Sequence, residues 1–348
     1  MQTRREMIGG LLAGAEAATT TRLEAGSPVQ AAAAGGTPIR IGLIGLDTSH
    51  VTAFTSLLND ASHADHVPGA RVVAAFKGGS PDIEASATRV DKFTAELRDK
   101  WKIAIVDSIE ALLPKVDAVM VESVDARVHL AQARPVIAAR KPLFIDKPMA
   151  SSTKDGAEIV RLAKAGKVPV FSASSRRFVE DVQMLRANTK VGTVLGAATY
   201  GPATIEPHHP DLFWYGVHAV ETLYELMGPG CVSVSRTHTD GTDVVVGTWA
   251  DGRIGTVRGV RSGKYSTYGQ TIFGSGDVAS MTSEMSLPGG AKRRTGYYEL
   301  VKRIIAFYRT GVAPVSPDET VETLAFMEAA DLSKARNGAA VKLSDVPR

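Results

Sequence analysis

From Ile39 to Ala173 short apolar runs alternate with amphipathic stretches, and this alternation constrains the fold more than any other feature of the chain. Ile39-Arg40-Ile41-Gly42-Leu43-Ile44 reads as a buried first strand, with Val51 to Leu58 as the helix that follows. Arg71 to Phe76, Ile103 to Val106, Ala118 to Val121, Leu143 to Ile145 and Val168 to Ala173 read as further strands. Phe93 to Lys100, Ile109 to Leu113, His129 to Ala139 and Thr153 to Ala165 supply helices between them. Parallel neighbours need crossover connections, so this order predicts a doubly wound parallel sheet with helices on both faces.

After about residue 190 the texture changes. Val244 to Trp249, Ile254 to Val260 and Thr267 to Phe273 follow one another, separated by Gly and Asp turns, which predicts an antiparallel meander. Val217 to Met227 and Tyr297 to Tyr308 are expected to be helices packed on it. Ser316-Pro317-Asp318-Glu319 has the form of a capping box with proline at the first helical position, and opens a last helix to about Ala335. The expected divisions are a leader and linker over 1–37 and a Rossmann-type domain over 38–175. An α+β domain with a large open, mostly antiparallel sheet follows over 176–315, and a terminal helix and tail over 316–348.

With 348 residues, 44% of them hydrophobic and 22% charged, the chain has the makings of two soluble cores. A net charge of +3 with scattered basic residues argues against a nucleic-acid partner, and Lys292-Arg293-Arg294 reads as a solvated loop. Thr3-Arg4-Arg5-Glu6-Met7-Ile8 before a weakly apolar stretch resembles a twin-arginine export signal, so a periplasmic or otherwise exported location is expected. That stretch is too interrupted to span a bilayer, and no membrane partner is expected. The single cysteine, Cys231, excludes an intrachain disulfide.

Asp146-Lys147-Pro148 ends the fifth strand and delivers a cationic donor to the carboxyl edge of the sheet, where open α/β folds bind ligands. Gly216-Val217-His218 opens a later helix and brings a second proton-handling group. A dinucleotide loop after the first strand wants Gly-x-Gly-x-x-Gly, but here those positions read Gly45, Asp47 and His50. Asp47 sets a negative side chain where backbone meets phosphate, or else caps the next helix, while Thr48 and Ser49 remain as phosphate donors. At the end of the second strand Lys77-Gly78-Gly79-Ser80 either suits a 2′-phosphate, favouring NADP over NAD, or is an ordinary glycine-rich turn.

Glu206 to Tyr215 carries His208, His209, Asp211, Trp214 and Tyr215, a set of aromatic faces and polar tips suited to sugars. His208, His209 and Asp211, with His218 and Glu221 one turn apart, are also donors for Zn or Mn, but no spacing fixes a site and no metal is assigned.

Taken together, Ile41-Gly42-Leu43-Ile44-Gly45, Asp146-Lys147-Pro148 and Gly216-Val217-His218 make the chain resemble the glucose-fructose oxidoreductase, inositol dehydrogenase and MocA (Gfo/Idh/MocA) family over roughly residues 38 to 345. The resemblance implies NAD(P)-dependent oxidation or reduction of a sugar or polyol, with Lys147 on the reacting oxygen and His218 moving its proton. It places Glu122, Asp125 and Lys147 near the nicotinamide ribose, with Asp125 read as a helix cap, and matches His129 to a family histidine. Arg176 and Arg177 match a family arginine that closes on substrate or on the domain interface, and Arg177 is assigned to substrate with His209, Trp214 and Tyr215. Where the family has an aspartate four residues before the histidine, this chain has Trp214. Outside the cytoplasm such an enzyme would hold its dinucleotide tightly, and family habit adds a homo-oligomer through the sheet. Two other readings stand beside this one: redox-neutral elimination, hydration or isomerisation of a keto-sugar, with or without a metal, and a non-catalytic sugar-binding module.

Overall fold

A computed structural model describes residues 37–263, 266–294 and 296–348; the arginine pair and the rest of the expected leader lie outside them. In the first half the elements run β1 Ile39–Ile44, α1 Ser49–Asn59, β2 Ala70–Phe76, α2 Glu84–Ala87, α3 Val90–Asp99, β3 Ala104–Val106, α4 Ile109–Leu112, β4 Ala118–Val121, α5 His129–Ala138, β5 Leu143–Ile145, α6 Thr153–Gly166 and β6 Val170–Ser172. The second half continues with α7 Glu180–Arg186, β7 Val194–Pro202, α8 Asp211–Trp214, α9 Val217–Met227, β8 Cys231–Thr239, β9 Thr242–Trp249, β10 Ile254–Val260, β11 Gly269–Gly274, β12 Val278–Thr282, α10 Tyr298–Thr310, α11 Pro317–Ala335 and β13 Val341–Lys342.

The first sheet is parallel throughout, in the order β3-β2-β1-β4-β5-β6. Its central strands are apolar on both faces because helices cover both; all of β4 and β5 is buried. The order reverses between β1 and β4, so the ligand crevice of this architecture opens at their carboxyl ends. Side-chain caps start the helices where the sequence puts Ser or Thr. Thr48 accepts from His50 N at α1, Ser152 from Asp155 N at α6, and Ser316 from Glu319 N at α11.

The second sheet is mixed, in the order β12-β11-β7-β10-β9-β8-β13. It departs from a plain meander: β7 enters between β10 and β11 and pairs parallel with β10. The β8-β9-β10 run and the β11-β12 hairpin follow chain order, because there short Gly and Asp turns link neighbours. The inward side chains Val245, Trp249, Val257 and Ile272 pack with Val220, Leu223, Tyr224 and Met227 of α9.

The helix α10 leaves this sheet and joins the other layer, contrary to the sequence expectation. Leu300, Val301, Ile304 and Phe307 share one core with Ile41, Phe54, Met120, Phe144 and Phe171. Phe307 meets Phe171 edge-on, with centroids 4.7 Å apart. Each such buried side chain contributes roughly 1.5–3 kcal/mol, and the parallel sheet offers α10 a fully apolar face. The return of α10 carries Tyr297 to the crevice. Meanwhile α11 lies against both α6 and β8, and Glu328 accepts from Thr153 N at 2.8 Å.

Candidate active site

Three strand and helix ends converge on one spot. Glu122 follows β4, Asp146 and Lys147 follow β5, and His50 stands in the first turn of α1. The imidazole Nδ1 of His50 lies 2.9 Å from an Asp146 oxygen and 3.8 Å from a Glu122 oxygen. Neither oxygen of the Glu122 carboxyl, which is wholly buried, has a hydrogen-bond partner, and Asp146 Oδ1 has none either. Burial pushes the Glu122 carboxyl well above its ordinary value and the charge on Asp146 adds to this, against the pull of Lys147, so its neutral acid form is favoured. For Asp146 burial acts in the same direction, but His50 and Lys147 outweigh it and hold the carboxylate ionised. Two adjacent carboxyls are thus driven apart in proton affinity. That division is common where groups exchange protons.

His218, in the first turn of α9, faces this cluster. Its Nδ1 sits 2.7 Å from Ser174 Oγ, which leaves Nε2 to address a ligand. Burial, then the Lys147 charge, lowers the affinity of this imidazole for a proton, so it is a neutral base at pH 7. Tyr215 and Tyr268 flank the ring edge-on at 5.6 and 5.9 Å, and Arg176 stacks over Tyr268. Tyr297 meets the His50 ring at 4.8 Å. His209 is buried against Trp214, its Nε2 has no partner, and burial pushes its pKa down to about 4. His209 lies within electrostatic reach of Asp125 and Lys147.

The glycine loop does something the sequence did not foretell. Gly45 makes the tight turn at φ +85, and a Cβ there would overlap Ser123, so the loops after β1 and β4 touch directly. Asp47 neither faces a phosphate nor caps α1, a task taken by Thr48. Its buried carboxylate accepts from Val124 N at 2.9 Å and from Ser86 Oγ at 2.6 Å. Ser80 donates to Asp125 at 2.6 Å instead of standing open to a 2′-phosphate, and Asp125 also accepts from Arg127 N as a cap. Lys77 is drawn away to Asp91 at 2.6 Å. Gly45 N and Leu46 N are bonded to Phe76 O and Lys77 O, and Gly45 to Thr48 are all buried, with Ser49 alone exposed. The loops after β1, β2 and β4 are therefore stitched together, Asp47 stands where glycine usually admits the pyrophosphate, and His50 takes the third position, where glycine usually allows close helix packing. A dinucleotide in its usual position does not fit these residues as they are folded.

Other expectations are redirected by charge pairing. Arg177 does not reach a substrate. It is wholly buried in a cage of Glu221, Glu225 and Glu319, since a guanidinium out of water must be surrounded by acceptors. This cage also removes Glu221 from any metal, while Asp211 is held by Arg236, Arg261 and Lys334, and His208 pairs with Glu206 at the surface. His129 staples the ends of β4 and β5, its ring nitrogens lying 2.8 Å from Ser123 O and 3.0 Å from Pro148 O. In the basic loop, Arg293 is anchored on Asp181 and Arg294 on Asp65. The residues that sequence reasoning missed are Asp146, Ser174, Tyr268 and Tyr297. Asp146 carried a signal, an acid at a strand end beside Lys147; the others are brought in by tertiary packing alone.

Comparison with known proteins places the fold. Residues 39–174 match the family described as an oxidoreductase family with an NAD-binding Rossmann fold. YceM of Salmonella typhimurium, named as an oxidoreductase, is 28% identical over 132 residues, which span 37% of this chain and 43%, less than half, of that relative. Among solved structures, myo-inositol 2-dehydrogenase from Lactobacillus plantarum superposes with a TM-score of 0.70 at 16% identity, over 88% of this chain and 99% of that one. Scyllo-inositol dehydrogenase from Lactobacillus casei, crystallised with NAD(H) and scyllo-inositol, gives 0.70 at 11% identity, over 89% and 100%. At such identities these structures share the fold.

Proposed function

Since the chain belongs, through its N-terminal domain, to the Gfo/Idh/MocA oxidoreductase family, we propose that it is an enzyme acting at a hydroxyl- or carbonyl-bearing carbon of a sugar or polyol. The observation that carries this reading is the meeting of Lys147, neutral His218 and the divided acid pair Glu122 and Asp146 beneath the aromatic loop of His209, Trp214 and Tyr215.

Because Asp47 stands where a pyrophosphate would meet backbone, no step is routed through a nicotinamide, and the chemistry that Lys147 and His218 offer by themselves is proton transfer. A keto-sugar would place its carbonyl oxygen on the Lys147 ammonium. His218 Nε2 would take a proton from the neighbouring carbon, and the electron pair would move into an enolate whose charge Lys147 stabilises. Return of the proton to the former carbonyl carbon, with the hydroxyl proton of the enediolate passing between its two oxygens, gives isomerisation; departure of a β-oxygen that takes the proton from His218 gives elimination.

NAD(P)-linked oxidation is the second reading, and the family fold favours it. It requires the Asp47 loop to open and, in an exported protein, a tightly kept dinucleotide. Export itself we infer from Arg4-Arg5, to be checked by fractionation of cells carrying the Arg pair or its Lys-Lys substitute. A homo-oligomer is proposed through the open face of the second sheet, where Ile254, Phe273 and Val278 are exposed and stand beside one another across the strands. Light scattering of the purified protein tests it.

The deciding experiment is native mass spectrometry of protein purified without added cofactor, followed by wash-in of solvent deuterium into keto-sugars. Empty protein that exchanges deuterium, and loses the exchange in Lys147→Met and His218→Asn, supports the redox-neutral reading. Stoichiometric NAD or NADP overturns it in favour of the oxidoreductase.

A further inference from the structure

We propose that His50, Glu122 and Asp146 form a binding site for one divalent first-row cation, Mn²⁺ or Zn²⁺, at the carboxyl edge of the parallel sheet. These three are the one group of three or more His, Cys, Asp or Glu side chains, among the described residues, whose donor atoms lie together, all within 4.8 Å.

Their spacing suits a shared ion. Ligand bonds of about 2.0–2.2 Å put neighbouring donors of a tetrahedral site roughly 3.4 Å apart, and the His50 nitrogen stands 2.9 and 3.8 Å from the two acids. The chemistry suits one as well: an imidazole nitrogen with two carboxylates is a borderline-to-hard set. The independent sign is the lack of partners. Glu122 is 0% exposed, yet both its oxygens lack a hydrogen bond, as does Asp146 Oδ1. A buried acid that finds no donor carries a large desolvation cost. One cation would satisfy all three oxygens.

The donors come from three separate elements, α1, β4 and β5, whose ends are fixed by backbone bonds from Glu122 N to Ile44 O and from Asp146 N to Val121 O. A preformed site of this kind keeps positions open to a ligand, and here they face His218 and Lys147. The inference is independent of whether the reaction is redox-neutral, since ion binding is read without substrate.

The test is a titration of the full chain, stripped with chelator, with Mn²⁺ followed by water-proton relaxation, and with Zn²⁺ in competition. One ion per chain is expected, with affinity lowered about 100-fold or more in Glu122→Gln and in Asp146→Asn, as for loss of a primary ligand, and unchanged in Glu206→Gln at the exposed His208 pair. Absorption spectroscopy of the Zn²⁺ form gives a second readout that needs no variant: a shell with one imidazole and carboxylate oxygens, without sulfur. No uptake at millimolar Mn²⁺ or Zn²⁺ overturns the proposal. So does binding that survives Glu122→Gln, or a shell with sulfur or two or more imidazoles.

Discussion

Two buried charge clusters in this molecule are built to opposite rules. On the second sheet Arg236, Arg261 and Lys334 face Asp211, Asp243 and Asp331, and every carboxylate there touches a cation. Arg236 lies 2.8 Å from Asp243 and 2.6 Å from Asp331, and Lys334 lies 2.8 Å from Asp211. At the edge of the parallel sheet Glu122 touches no donor, and Asp146 shares a single imidazole. In the first, closed cluster each carboxylate has a cation, although Arg261 Nε and Nη1 make no hydrogen bond; in the second the carboxyl oxygens themselves are left for a ligand. Burial of charge therefore marks function only where the pairing is incomplete.

The comparison breaks first if the closed cluster proves dispensable. Arg236→Met takes a wholly buried guanidinium from Asp211, Asp243 and Asp331, of which Asp331 alone keeps no other ion pair, and the expected loss of stability is about 3 kcal/mol, read by urea denaturation at pH 7. A loss below roughly 1 kcal/mol would mean that the two clusters do not differ in kind.

A second effect belongs to acid. His209 is buried in its neutral form with a pKa of about 4, below the 6.5 of a free imidazole. The unfolded chain therefore binds this proton first as pH falls. Stability from His209 is fully present above pH 6.5 and is lost as pH drops from there towards 4, on the order of 3 kcal/mol in all. In His209→Gln the slope of stability against pH across that window should flatten. An unchanged slope would show that the ring is wetter than its 6% exposure implies.

Smaller again is the cost of undoing the stitched loop. Asp47→Gly removes the acceptor for Val124 N and Ser86 Oγ and is expected to destabilise by about 1–3 kcal/mol. It should not by itself restore dinucleotide binding, because Ser80 remains on Asp125 and His50 still fills the helix start. Fluorescence titration with NADH checks this, and tight binding by the glycine variant would show Asp47 to be the sole obstacle.

Legibility in the sequence followed the range of the forces. The parallel sheet was readable because β4 and β5 are continuous apolar runs between helices, and Lys147 and His218 were readable because a strand end and a helix start place them at an edge. The stitched crevice was not, since Asp47 meets Val124 across 77 residues and Ser80 meets Asp125 across 45, contacts with no local pattern. Arg177 misled for a related reason: an arginine after a strand reads the same whether it awaits a substrate or three glutamates. The insertion of β7 beside β10 was hidden too, because strand order is decided by which face finds α9 and not by turn chemistry alone.

The smallest expected change in stability is the most telling. In the ion-free protein Glu122→Gln replaces a buried, unpartnered acid by a neutral side chain of equal shape, so the stability of the fold should change by less than about 1 kcal/mol. Ion affinity should fall about 100-fold or more in the same variant. The closed cluster permits no such separation, because each of its members holds another in place. If Glu122→Gln instead unfolds the chain as Arg236→Met does, Glu122 has structural partners and the contrast between the clusters falls. If stability holds while binding is lost, the edge of the parallel sheet is where this chain has exchanged stability for chemistry.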